Sequence, residues 1–182
     1  MAWIHTRAGT IALITMVFAG FFFAAGKQAS AGTSAARGAA ARQLLLELSE
    51  STETRVVVRC VTQKALGDDG EGQAFGSTWV GGSVISLSTR YVCAPLARMS
   101  PSSPTIRDTE LDAVVTVAHE WFHTRGVADE RVTECYAVRL TWEWIQRVSS
   151  YTPRARAAAK RHLLDNSLRP PAYKLASSCT LA

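Results

Sequence analysis

An α+β domain is what this sequence predicts, and three observations predict it. β-branched or alternating segments come early, RVVVRCV at Arg55 to Val61 and SVISLS at Ser83 to Ser88. Apolar stretches with helical spacing come late, from Thr109 onward. Turn chemistry rich in glycine and proline separates them. Strands first and helices after give an α+β architecture with a small antiparallel sheet. At 182 residues and 47% hydrophobic content, the chain can bury one core and is too short for two.

The N-terminus reads as a targeting segment. His5 and Arg7 make a weakly positive start, the run from Ile11 to Gly26 carries no charge, and Ala29-Ser30-Ala31 offers a small-residue cleavage site. Residues 1–31 are therefore expected to be a secretory signal peptide. The 19 uncharged residues between Arg7 and Lys27 also just reach the roughly 17 needed for an uncleaved membrane anchor. Either way the domain is expected to work outside the cytoplasm. From Lys27 to Ala41 the composition is Ala, Gly and Ser with little else, which reads residues 32–41 as a flexible spacer and 42–182 as the domain.

Within the domain, QLLLELSE suggests a short amphipathic helix, and the β-branched density of Arg55 to Val61 suggests a buried strand. The glycine and aspartate loop Gly67 to Gly72 then turns the chain into Ala74 to Val80, a hairpin partner for that strand. Ser83 to Ser88 alternates apolar and polar residues, as a half-exposed strand does. YVCAPLARM predicts a helical turn or two, and Pro101 and Pro104 keep Ser100 to Asp108 a loop. Thr109 with Asp112 reads as a capping box opening a helix through His123, which Gly126 ends. A second helix runs from near Asp129 to about Val148, a third from Arg154 to Asp165, and Pro170-Pro171 begins an irregular tail.

Cys60, Cys93, Cys135 and Cys179 are even in number, which suits two disulfides in an oxidising compartment. They lie dozens of residues apart with no C-x-x-C pair, which argues against a zinc knuckle. Three pairings are possible and sequence does not choose among them; Cys60–Cys93 with Cys135–Cys179 is the expectation adopted, the second tying the tail to the helices. Of the 20 Lys and Arg residues, Arg7 and Lys27 lie in or beside the targeting segment, which leaves 18 against 15 acidic residues, or +3. Arg154, Arg156, Lys160 and Arg161 cluster without interleaved aromatics, as a solvated helix face does, so no nucleic-acid partner is expected.

Chemistry concentrates in VVTVAHEWFH. On a helix, residues four apart lie about 40° from each other around the axis, so the imidazoles of His119 and His123 can grip one ion from a single face. Glu120 projects beside that ion, where it can hold and deprotonate a water as the general base of a zinc hydrolase. A catalytic site needs a third protein ligand. Asp129, six residues after His123 with Gly126 between, fits the H-x-x-G-x-x-D variant of the metzincin pattern. That pattern requires a downstream methionine turn, and Met1, Met16 and Met99 all precede His119. Glu134, inside the second helix beside Cys135 and Ala137, is therefore the favoured third ligand. Glu130 reads as a first-turn helix charge.

Taken together, SVISLS, the Cys93 that follows it, HEWFH and TECYA resemble the small secreted gluzincins, over roughly Val56 to Val148 with a weaker echo in PPAY and Cys179. That resemblance implies a three-stranded sheet packed on a zincin-like helix pair, an edge strand above the cleft, one zinc ion per chain and peptide-bond hydrolysis. It casts Ser83, Val84, Ile85, Ser86, Leu87 and Ser88 as the strand along which an extended peptide or protein substrate pairs. In longer gluzincins an aspartate four residues after the glutamate ligand often braces a zinc histidine; four residues after Glu134 stands Val138, which points to Asp112 or Asp129 for that support.

Tyr173 and His162 are candidates by residue type for the donor that steadies an oxyanion. Trp121, Phe122, Trp142 and Trp144 read as core. The expected protein is a monomer that meets a membrane only if its N-terminal segment is retained. A zinc-stabilised binding module without turnover is the competing class.

Overall fold

The computed structural model describes residues 34–49, 55–67, 74–100 and 102–181; the expected signal peptide lies outside them. In chain order the elements are α1 (Ser34–Leu48), β1 (Val57–Val61), α2 (Gln63–Leu66), β2 (Gly76–Ser77) and β3 (Val84–Ser88). A wide helical turn (Thr89–Cys93) leads into α3 (Ala94–Arg98), then come α4 (Asp108–Thr124), α5 (Glu130–Arg147) and α6 (Pro153–Leu164), with tight turns at Asn166–Leu168 and Pro171–Tyr173. The class is α+β as the sequence predicts, with helices outweighing a three-stranded sheet.

That sheet is mixed rather than antiparallel. Its order is β1-β3-β2, with β1 parallel to β3 and only β2 antiparallel to it. The hairpin partner of β2 is thus β3, not β1, and α2 intervenes after β1. Strand β1 lies at an edge and is part exposed, not buried. Strand β3 is central: Val57 donates to the Ser83 carbonyl (2.8 Å), Ser88 donates to the Phe75 carbonyl (2.8 Å), and the Thr78 hydroxyl donates to the Val84 carbonyl (2.6 Å). Residues Ser83 to Ser88 therefore cannot offer an open edge to a substrate. Alternation along β3 does hold, with Ile85 and Leu87 buried on the inner face.

The expected spacer is also corrected. Residues from Ser34 onward are helical, and Ala41, Leu44, Leu45 and Leu48 form one buried stripe at i, i+3, i+4 and i+7. Alanine is the strongest helix former, so a segment that reads as low complexity extends a helix once Ala41 continues the leucine face. The same core cluster holds Ile85 and Leu87 of β3, Val92 and Leu96, and the α4 row Leu111, Val114 and Ala118.

Helices α4 and α5 make the most extensive contact in the molecule, α5 presenting small buried residues, Thr133 and Ala137, that let the axes come close. The N-cap of α4 is Arg107, two residues before the expected Thr109: Glu110 accepts from the Arg107 backbone N–H (2.9 Å) and also pairs with the Arg107 guanidinium. Disulfides join Cys60 to Cys93 and Cys135 to Cys179. They are consistent with an extracellular protein. Among the described residues no helix is long and apolar enough to cross a membrane.

Candidate metal centre

The end of α4 sets the site. Gly126 takes φ +90°, a left-handed conformation that closes the helix, with Gly126 donating to the His123 carbonyl (3.0 Å) and Val127 to the Phe122 carbonyl (3.2 Å). This turn delivers the Val127 carbonyl to His123 Nδ1 at 2.7 Å. A carbonyl can only accept, so Nδ1 carries the hydrogen and Nε2 is left with its lone pair. His119 is held the same way, its Nδ1 lying 3.1 Å from Glu134 Oε2.

Both Nε2 atoms and one oxygen of Glu130 then converge. His119 Nε2 lies 2.9 Å from His123 Nε2 and 2.9 Å from Glu130 Oε2, and His123 Nε2 lies 3.3 Å from the same oxygen. Three acceptors so close repel one another unless a positive charge lies among them. Donors at about 2.1 Å around a tetrahedral ion would stand about 3.4 Å apart, so the set needs only a slight opening to accept one. His119, His123 and Glu130 form a group that could hold a metal ion. Without an ion the charge is a proton: burial opposes it, yet hydrogen bonds to Glu130 and Glu134 push His119 up to about 9.

The third member corrects the sequence reading. Glu134 is not in this group. Its Oε2 faces His119 Nδ1, and its Oε1 accepts from Arg169 Nε at 2.8 Å. Burial alone would raise its carboxyl, but the hydrogen bond and charge of His119, with Arg169, hold it low. Asp129 is not in the group either: its carboxylate accepts from the Val132 N–H (2.9 Å) and caps α5. Glu130 and Glu134 stand four apart on α5, as His119 and His123 do on α4, and that matched spacing is the signal that could have found both. With Glu130 as ligand, the supporting carboxylate comes four residues later, from Glu134 and not from Asp112 or Asp129.

Glu120 is buried beside the group. Its Oε2 has no hydrogen-bond partner among the described residues, and burial raises its carboxyl to about 7, with His119 opposing and Glu130 adding. An orphaned carboxylate oxygen next to converging lone pairs fits an ion with a solvent molecule on it. Strand β2 lies directly on Glu120: a Cβ at Gly76 would sit 2.6 Å from Oε1 and 2.7 Å from Cγ. Gly81 donates to the His123 carbonyl at 2.7 Å, so β2 and the turn after it span the site from Glu120 to His123.

Compared with family models, with curated proteins and with solved structures, the chain matches none.

Of the two candidate oxyanion donors, Tyr173 is brought near, its ring 5.5 Å from that of His119. His162 is not: it bonds Asp112 at 2.7 Å on the opening turns of α4. Trp142 and Trp144 are buried in the core, whereas Trp121 and Phe122 are only part buried, the Phe122 ring lying tilted against that of Tyr136.

Proposed function

We propose that the chain is a secreted zinc peptidase of the gluzincin kind, with His119, His123 and Glu130 as the ligands of one ion and Glu120 as the general base. The observation that carries this reading is the adjacency of three convergent ligand atoms to a buried carboxylate oxygen without a hydrogen-bond partner among the described residues. Two imidazoles and one carboxylate are a donor set of catalytic zinc. A bound zinc ion supplies the Lewis acidity that makes water nucleophilic near neutral pH and polarises a carbonyl.

The residues do the rest. Glu120 takes the proton from the attacking water and returns it to the leaving amine. Tyr173 is the proposed donor to the oxyanion, a role supported by its ring lying 5.5 Å from that of His119. The partner is an extended peptide or protein segment, and it lies along β2, whose outer edge has no strand partner among the described residues. The chain acts as a monomer without nucleic acid.

The test is zinc content together with cleavage of a quenched peptide library by wild type and Glu120→Gln. One zinc per chain in both proteins, and turnover reduced at least a hundredfold in Glu120→Gln, is expected. Equal cleavage signal from both zinc-loaded proteins would instead make this a metal-stabilised binding module.

A further inference from the structure

Arg169 follows the Asn166–Leu168 turn and reaches back under the metal centre. Its Nε donates to Glu134 Oε1 (2.8 Å), its Nη1 to the Asp165 carbonyl (2.6 Å) and its Nη2 to the Leu163 carbonyl (2.8 Å). Both side chains of the Arg169–Glu134 pair are largely withdrawn from water, 12% and 9% exposed. The planar fork thus fastens a carbonyl of α6's last turn and that of its C-cap Asp165 to a carboxylate whose other oxygen lies against His119. The same tail is anchored twice more: Cys179 is bonded to Cys135, the residue after Glu134, and Asn166 exchanges hydrogen bonds with the Leu175 backbone (3.0 and 2.7 Å).

We infer that Arg169 is a positioning residue for the metal centre: it fixes the Glu134 carboxylate so that one oxygen orients His119 and neither swings round to displace Glu130. This rests on His119, His123 and Glu130 being the ligand set. Remove the guanidinium and Glu134 Oε1 becomes a buried acceptor without a partner, which rotates to find one. The His119 ring then loses its fixed direction. Supporting groups of this kind are worth about 10–100-fold in metal affinity. A bland alternative exists, in which Arg169 merely caps α6.

The two accounts separate in a zinc-release experiment on the full chain. Wild type, Arg169→Met, Arg169→Lys, Glu134→Gln and the Glu134→Gln/Arg169→Met double variant are loaded with zinc, and transfer to a chromogenic chelator is timed. Urea unfolding of each metal-free protein is measured alongside. Arg169→Met should release zinc about 10–100-fold faster than wild type, Arg169→Lys should fall between, and in the Glu134→Gln background Arg169→Met should add less than about twofold. Unchanged release with lowered metal-free stability would reduce Arg169 to a helix cap. An equally large effect in the Glu134→Gln background would overturn the linkage through Glu134. Arg169→Lys, which keeps the charge, carries the comparison should Arg169→Met fail to fold. A wild type that takes up no zinc at all overturns the ligand set and this inference together.

Discussion

One turn of helix separates Glu130 from Glu134, and that turn divides a residue of the group that could hold a metal ion from the carboxylate behind it. Both are glutamates on one face of α5, and helical spacing alone allows either; what decides is the distance between α4 and α5, which no local pattern encodes. His119, Glu120 and His123 were legible because their chemistry is written in a single helix. Glu130→Ala is therefore expected to abolish tight zinc binding, while Glu134→Gln keeps the ion with about 10–100-fold weaker affinity, as titration against a competing chelator would show. The reverse order would restore Glu134 as the ligand. Gly76 is equally invisible in sequence, since its importance lies in a side chain it lacks. A methyl group there would stand 2.6 Å from Glu120 Oε1. Gly76→Ala should leave zinc content near one per chain yet lower turnover a hundredfold or more, because displacing a catalytic group by about an ångström costs on that scale. Full activity in that variant would mean β2 gives way freely.

Among the elements, helices α4, α5 and α6 were readable to within a few residues, because each has a periodic apolar stripe and α4 also a glycine stop at Gly126. Strand pairing was not. β1 and β3 pair in parallel across α2 and β2, and nothing in two short β-branched runs states their relative direction. Helix α1 was half hidden in an alanine-rich stretch whose helical state depends on Ala41, Leu44, Leu45 and Leu48 finding the core. Leu45→Ala, at a fully buried position, should destabilise the protein by about 2–5 kcal/mol in urea unfolding. A loss under about 0.5 kcal/mol would show that α1 is dispensable to the fold.

At the level of the whole molecule, stability is linked to pH through the residues of the candidate metal centre. Without metal, His119 keeps its proton up to about 9 against an ordinary 6.5, an advantage complete below pH 6.5 and lost as pH rises through 9. Glu120, raised by burial to about 7 from 4.5, acts in the same sense, its contribution complete below pH 4.5 and lost through 7. Glu130 and Glu134 are lowered, so their contributions are whole above pH 4.5 and leave that window flat. Metal-free protein should therefore melt at progressively lower temperature from pH 5 to pH 9. Zinc-loaded protein should show the opposite trend, since the ion binds deprotonated ligands. Parallel melting curves with chelator and with zinc would check this, and a metal-free Tm that climbs toward pH 9 contradicts it.

The two disulfides divide the labour around this centre. The Cys60–Cys93 loop encloses β2 with Gly76, and the Cys135–Cys179 loop encloses Arg169 and Tyr173, whereas His119, Glu120, His123 and Glu130 belong to neither. A reductant would therefore loosen the β2 side and the tail side of this centre independently, and opening one crosslink at a time would yield two distinct half-tethered proteins.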